Sequence, residues 1–229
     1  TPLYSSAASD VYKRQVQRVH GGAVASQSYR STEIPLDTRQ RASLAAKTAI
    51  AETALQFVPD TQSCTIFLDS GTTISSLGKR LAETRGDKVY SVVTNSIPTA
   101  LELSDSGLHD VQLLGGSVRP ISQAVVGSTA LRTLALLRAD VAFVGTNALS
   151  IGHGLSTVDA QEAAVKAAMV TNARSVVVLC DSTKLGNDYV VSFAPLTDID
   201  VVITDAEAPS AFVDELRSHG IEVVLAHTR

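Results

Sequence analysis

Several residue types that define common protein classes are scarce in this 229-residue chain. Its two cysteines, Cys64 and Cys180, lie inside apolar runs, which fits buried thiols in a reducing cytoplasm better than a disulfide framework. Its five histidines show no metal-ligand spacing. No apolar run approaches the roughly 18 residues that cross a bilayer, and no secretory signal is visible. We therefore expect a cytoplasmic protein without a metal site or a membrane segment.

Charged and aromatic residues are also scarce, at 18% and 4% of the chain. The net charge is −4 and the pI is near 5.7. A nucleic-acid-binding module needs a basic face to displace counterions from phosphate groups, so the composition argues against DNA binding by this chain itself. The apolar 45% is mainly Ala, Val, Leu and Ile, which is enough to build a sizeable core.

Valine-rich runs alternate with helical patterns from residue 64 onward. This order predicts right-handed crossovers and an α/β fold with a mostly parallel, Rossmann-like sheet and helices on both faces. The predicted strands are residues 64–69, 89–94, 111–114, 140–145, 175–181, 201–204 and 222–226. The predicted helices are residues 74–84, 97–104, 128–138, 160–172 and 210–219. The interval 185–196 lacks a helix pattern and predicts a short strand at 189–193.

The sequence pattern divides the chain into three regions. Residues 1–15 have neither a helical nor a strand period, and they are either a foreign segment or a natural disordered tail. Residues 16–34 are predicted to be a linker, and residues 35–229 one α/β domain. Within that domain we expect a helix over 37–57, with Asp37 as its N-cap.

Small, polar or glycine residues follow five consecutive predicted strands. In open parallel sheets, ligands collect at the carboxyl ends of the strands, so we expect these residues to line one crevice. They are Asp69, Ser70, Gly71, Thr72 and Thr73 after the first strand, Thr94 and Asn95 after the second, Gly115 and Gly116 after the third, Gly145 after the fourth, and Asp181 and Lys184 after the fifth.

The first of these turns has the most specific chemistry. Gly71 lets the backbone approach a ligand closely, and the hydroxyls of Thr72 and Thr73 together with N–H groups at a helix start form an anion cradle. The alternative is an ordinary strand–helix turn with a threonine cap. The P-loop spacing is missing, so this is not a nucleotide P-loop.

Positive side chains near the same edge are candidates to neutralise a phosphate group. Lys184 and Arg119 follow strand ends, although Lys184 could also be a surface lysine in a turn. Glu162 and Lys166 lie four residues apart on a predicted helix, where the alternative is a solvated ion pair. No nucleophile elbow or Cys–His pairing is present, so we predict no catalytic residues.

Motifs in a fixed order resemble those of DeoR-type transcriptional repressors, from about residue 16 to the C-terminus. Residues 18–23 (RVHGGA) resemble the junction that follows the family's winged-helix domain, and residues 68–73 (LDSGTT) resemble its phosphate loop. The later pocket segments are matched by Thr94 and Asn95, by residues 114–116 (LGG), by residues 181–186 (DSTKLG), and by Glu162 and Lys166 of the family's Glu-x-x-x-Lys helix.

The resemblance implies a fold shared with ribose-5-phosphate isomerase and the coenzyme A transferases. It implies a phosphorylated sugar or related metabolite as effector, no cofactor, and a homo-oligomer. It also implies operator DNA binding by the parent protein through an N-terminal helix-turn-helix domain, which residues 1–15 do not resemble.

The motifs and the resemblance suggest three alternative functions. In the first, a regulator of sugar metabolism binds the effector phosphate at residues 71–73, with Lys184 and Arg119 as counter-charges and Asn95, Asp69 and Glu162 holding hydroxyls. The second is an aldose–ketose phosphate isomerase, suggested by the fold analogy alone, with Glu162 or Asp181 as its base. The third is a stand-alone binding or oligomerisation module.

Overall fold

Short strands and helices alternate along the chain in the computed structural model, which describes residues 16–19, 22–25, 33, 35–84 and 86–228. The strands are β1 (Val16–Val19), β2 (Gly22–Ala25), β3 (Ser63–Leu68), β4 (Val89–Thr94), β5 (Val111–Leu113), β6 (Ser117–Arg119), β7 (Ala124–Val126), β8 (Ala139–Gly145), β9 (Ala148–Ser150), β10 (Gly154–Thr157), β11 (Ala173–Leu179), β12 (Val191–Ala194), β13 (Val201–Asp205) and β14 (Glu222–Ala226). The α-helices are α1 (Leu36–Arg41), α2 (Leu44–Ala54), α3 (Thr72–Thr84), α4 (Ile97–Asp105), α5 (Ser128–Ala135), α6 (Ala160–Thr171) and α7 (Ser210–Ser218).

The centre of the fold is a seven-stranded sheet with the order β14-β13-β11-β8-β3-β4-β5. Every pairing in this sheet is parallel, which confirms the predicted α/β architecture. The chain runs outward from β3 through β4 to β5, and then from β8 through β11 and β13 to β14. The direction therefore reverses between β3 and β8, which creates a crevice at the carboxyl ends of these two strands.

Alternate residues of the central strands enter two separate cores. In β3, Ile66 and Leu68 face one core and Phe67 faces the other, and all three are fully buried. Helices α2, α3 and α4 cover the first face, whereas α5, α6 and α7 cover the second. The sheet is therefore covered on both faces, as the valine-rich strands predict.

The chain also forms smaller antiparallel elements outside the central sheet. Strands β6 and β7 form a hairpin, and β12, β10 and β9 form a three-stranded sheet that includes part of the strand predicted at 189–193. Strands β1 and β2 pair within the predicted linker. Among the described residues, no helix is long and apolar enough to cross a membrane.

The prediction of one continuous helix over residues 37–57 is wrong. The structure divides it into α1 and α2, with a break at Ala42 and Ser43, where Ser43 has a left-handed φ of 51°. The ammonium group of Lys47 donates hydrogen bonds to the backbone carbonyls of Arg39 and Ala42, at the end of α1. The N-cap position is occupied by Pro35 and not by Asp37, which lies within α1.

Two adjacent glycines before β6 test the importance of close backbone packing. We expect Gly116→Ala to destabilise the protein by about 2 kcal/mol or more, because Gly116 has a φ of +152° and an added Cβ would lie 2.4 Å from the Val126 carbonyl oxygen. Gly115→Ala is the matched control, with an expected change within about 1 kcal/mol, because its Cβ would meet only Thr129 Cγ2 at 3.8 Å. Urea unfolding measures both, and equal losses would contradict this assignment.

Candidate functional site

The loop between β3 and α3 opens into the crevice between β3 and β8. Gly71 has a φ of +150°, and its carbonyl oxygen accepts a hydrogen bond from Ser75 N–H at 2.9 Å, which closes the first turn of α3. The first N–H groups of a helix have no acceptor within the helix, and the helix dipole places partial positive charge there. This end of α3 therefore favours an anion.

A cavity of about 150 Å³ lies at this end of α3. A single water occupies roughly 10–15 Å³ by the same measure, so the cavity has room for a small metabolite. It is lined by residues from several loops and helices: Thr38, Arg39, Ala42, Ser43, Lys47, Ser70, Gly71, Thr72, Thr73, Ile74, Ser122, Gly145, Thr146, Asn147, Glu162, Lys166, Leu179, Cys180, Asp181, Thr183 and Lys184.

A buried ion pair between Lys166 and Asp69 forms the floor of the site. The Lys166 ammonium contacts Asp69 Oδ2 and donates to the Gly145 carbonyl oxygen at 2.9 Å, while Gly145 N–H donates to Asp69 Oδ2 at 3.1 Å. The Lys166 ammonium also lies 5.5 Å from the centre of the Phe193 ring. Burial raises the pKa of Asp69, and the nearby Lys166 opposes this rise. The pair joins α6 to the ends of β3 and β8.

Arg119 lies at the centre of a group of carboxylates beside the cavity. Its guanidinium donates to Glu162 at 2.6 Å, to both oxygens of Glu33 at 2.8 and 3.1 Å, and lies 3.4 Å from Asp159 Oδ2. Hydrogen bonds to Glu33 raise the pKa of Arg119, as do those to Glu162. Arg119 does not line the cavity, but it hydrogen-bonds to two residues that do, Glu162 and, at 3.4 Å, the Ser122 hydroxyl.

Glu162 and Lys166 are both buried, so the alternative of a solvated ion pair does not hold. They pair with Arg119 and Asp69 respectively, and not with each other. The neighbouring Asp159 caps α6 by accepting hydrogen bonds from the N–H groups of Gln161 and Glu162, each at 3.0 Å. The spacing of four residues therefore places Glu162 and Lys166 correctly on one helix, but it does not identify the residues with which they pair.

Lys47 is a cavity residue that the sequence interpretation missed. It is 5% exposed, and burial lowers the pKa of its ammonium group. One signal was available, because Lys47 precedes the buried Ile50, Ala51 and Ala54 at helical spacings of three, four and seven residues. A lysine on the buried face of a helix is uncommon unless it is paired or functional.

Asp181 and Lys184 follow β11 and also line the cavity. Asp181 is buried and its Oδ1 accepts hydrogen bonds from Thr183 N–H at 3.2 Å and from the Thr183 hydroxyl. Lys184 is half-buried and lines the cavity rather than projecting from a surface turn. The adjacent Cys180 is a neutral thiol, because burial raises its pKa to about 12.

Five further predicted residues lie outside the cavity lining: Asp69, Thr94, Asn95, Gly115 and Gly116. The Asn95 carbonyl oxygen accepts a hydrogen bond from Val125 N–H at 2.7 Å, and its side-chain amide donates to the Val125 carbonyl at 3.3 Å. Asn95 thus fastens the β6–β7 hairpin to the end of β4. A direct part for these five residues in ligand binding stays a prediction.

The charges around the cavity suit an anion with hydroxyl groups. Positive charge comes from Arg39, Lys47 and Lys184, while Glu162 and Asp181 supply hydrogen-bond acceptors. In the part of the chain that the structure describes, no group of three or more His, Cys, Asp or Glu residues could hold a metal ion. An anion-binding cavity in a parallel α/β fold is the class of site that these residues define.

Residues 42–206 match the family of the DeoR C terminal sensor domain. The chain belongs to this family. The match begins at the break between α1 and α2 and ends just after β13, so it contains most of the residues that line the cavity.

Curated relatives of the chain are transcriptional regulators. The chain is 35% identical over 209 residues to the HTH-type transcriptional regulator GlpR of Haloferax volcanii, covering 91% of this chain and 79% of the relative. It is 33% identical to the lactose phosphotransferase system repressor of Lactococcus lactis, covering 88% and 78%. It is 27% identical to the glycerol-3-phosphate regulon repressor of Escherichia coli, covering 92% and 81%.

Solved structures show a partial likeness. Ribose 5-phosphate isomerase A from Neisseria gonorrhoeae aligns with a TM-score of 0.45 and 16% identity, over 62% of this chain and 53% of the isomerase. A likeness at this level is too partial to support a statement about activity.

The buried ion pair predicts a stability loss that depends on pH. In Lys166→Met the Asp69 carboxylate stays buried without its counter-charge, so we expect a loss of about 3 kcal/mol near pH 7. The pKa of Asp69 in the folded variant then lies far above its unfolded value of about 3.9, so the folded state binds the extra proton and the loss grows as the pH rises.

Urea unfolding at about pH 5 and about pH 8 measures this dependence. The control is Asp69→Asn with Lys166→Met, which removes both charges and should recover most of the stability at both pH values. A loss in Lys166→Met that is equal or greater at the lower pH would contradict the assignment of Lys166 as the counter-charge.

Proposed function

We propose that this chain is the effector-sensing part of a cytoplasmic DeoR-type repressor of sugar metabolism, and that its cavity binds a phosphorylated sugar or a related phosphorylated metabolite. The observation that carries the proposal is the N-terminus of α3, which opens into a cavity also lined by Lys47 and Lys184. Helix N–H groups bind a phosphate through its oxygens, and flanking ammonium groups balance its charge.

The names of two relatives support a phosphorylated effector. One relative is a glycerol-3-phosphate regulon repressor, and another is a repressor of a lactose phosphotransferase system. Family membership also supports binding of operator DNA by the parent protein through an N-terminal helix-turn-helix domain. We further propose a homo-oligomer, in which the effector favours one arrangement by binding it more tightly than the other.

Acceptor groups on two walls suit the hydroxyls of the effector. Glu162 lines the cavity from α6, and Asp181 lines it from the loop after β11. Both are buried, so a hydroxyl that donates to either group would do so away from bulk water. Loss of one such hydrogen bond leaves a buried acceptor unpaired, which is how such a site discriminates between sugars.

A thermal-shift screen of sugar phosphates tests this site. A ligand that binds the folded state stabilises it by about 2.7 kcal/mol at a concentration of about 100 Kd. We expect at least one sugar phosphate to raise the melting temperature of the wild type, and Thr72→Ala with Lys184→Ala to abolish the shift. The matched control is Thr84→Ala with Lys79→Ala, at the other end of α3 and on its exposed face. An undiminished shift in Thr72→Ala with Lys184→Ala would show that the phosphate does not bind at this site.

An isomerase function is the alternative, suggested by the fold analogy alone. Glu162 and Asp181 line the cavity and are the candidate bases that would remove a proton from a sugar carbon. The curated relatives are transcriptional regulators, which supports a sensor rather than an enzyme. We therefore expect no turnover of ribose 5-phosphate in a coupled assay, and turnover that Glu162→Gln abolishes would establish the enzyme.

A further inference from the structure

The segment that enters α1 is fastened to the β6–β7 hairpin at two points. The carboxylate of Glu33 forms two hydrogen bonds with the Arg119 guanidinium, and Leu36 N–H donates to the Ile121 carbonyl oxygen at 3.3 Å. Arg119 ends β6, and Ile121 lies in the turn that follows. This hairpin also carries Ser122, which lines the cavity. The hairpin therefore contacts both the cavity and the chain that leads to the N-terminus.

One guanidinium nitrogen of Arg119 contacts both the cavity wall and the segment that enters α1. Its Nη1 donates to Glu162 Oε1 at 2.6 Å and to Glu33 Oε1 at 3.1 Å. The guanidinium is also 3.4 Å from Asp159, so three carboxylates surround one positive charge. This cluster holds an excess of negative charge, and any further anion nearby raises the repulsion among its members.

We propose that Arg119 couples occupancy of the cavity to docking of Glu33, so that effector binding weakens attachment of the segment that enters α1. The coupling rests on the proposed function, because it requires an effector whose phosphate adds negative charge to the cavity that Glu162 lines. Asp159 and Glu162 are fixed at the first turn of α6, whereas Glu33 belongs to the chain that leads to α1. The added repulsion therefore acts on Glu33, which is the cluster member not held in an element of regular structure.

Thermodynamic linkage determines in which direction the effector affinity should change. If the effector weakens docking of Glu33, then weakening that docking must tighten effector binding by the same factor. Glu33 does not line the cavity, so a substitution there has no direct contact with the effector. An influence that passes through Arg119 differs from direct repulsion between the Glu33 carboxylate and the effector, because only the former requires the guanidinium.

A double-mutant cycle on effector affinity measures the coupling. The probe is the sugar phosphate that gives the largest thermal shift with the wild type, and calorimetry gives its Kd. We expect Glu33→Gln to tighten binding by about fivefold in the wild-type background. In the Arg119→Met background the same change should leave the Kd unaltered, because Glu33 is no longer held beside Glu162.

The cycle has a control and a second background. Glu83→Gln removes a carboxylate from an ion pair with Arg80 at the far end of α3, and it should leave the Kd unchanged. Where Arg119→Met fails to fold, Arg119→Lys replaces it, because a single ammonium group cannot hold the bidentate contact to Glu33 and should reduce the effect.

The outcomes separate the two proposals. Wild-type binding that Glu33→Gln leaves unchanged overturns the coupling alone, as does an equal effect of Glu33→Gln in both backgrounds. Failure of every sugar phosphate to bind the wild type overturns the proposed function and the coupling together. A fivefold tightening confined to the background that contains Arg119 supports the coupling.

Discussion

The buried pair of Lys166 and Asp69 is the interaction on which the rest of the site depends. Burial of a carboxylate is costly unless a counter-charge and hydrogen bonds compensate for the lost water, and Asp69 receives both from Lys166 and from the backbone of Gly145. These contacts hold α6 against the ends of β3 and β8, where the chain direction reverses. The loop from Ser70 to Thr73 and the wall carrying Glu162 are positioned by this junction.

The positive charges at the cavity are placed so that a bound anion would balance them. The Lys47 ammonium is held by carbonyl groups at the end of α1, and Arg119 is held by carboxylates that include Glu162. Both contacts connect the cavity wall to the part of the chain that precedes α2. In the proposed coupling, a ligand that changes the balance at either contact acts on α1 and on the segment before it.

The strands and the first loop could be predicted because their signals are local. Strands buried on both faces appear as valine-rich runs, and residues 89–94 and 222–226 have the predicted bounds. The break at Ser43 escaped prediction because residues 37–43 (DTRQRAS) contain neither a proline nor a glycine to mark a helix end, and only the contacts of Lys47 at the end of α1 reveal it. The partners of Lys166 and Arg119 lie 97 and 86 residues away in the chain, so spacing within one helix could not identify them.

A crystal structure of the full chain with a bound sugar phosphate would be the most decisive measurement. The account predicts phosphate oxygens within hydrogen-bonding distance of the N–H groups at residues 71–73, with Lys184 beside them and sugar hydroxyls directed towards Glu162 or Asp181. A phosphate bound away from the start of α3 would contradict the account, even if the complex were tight.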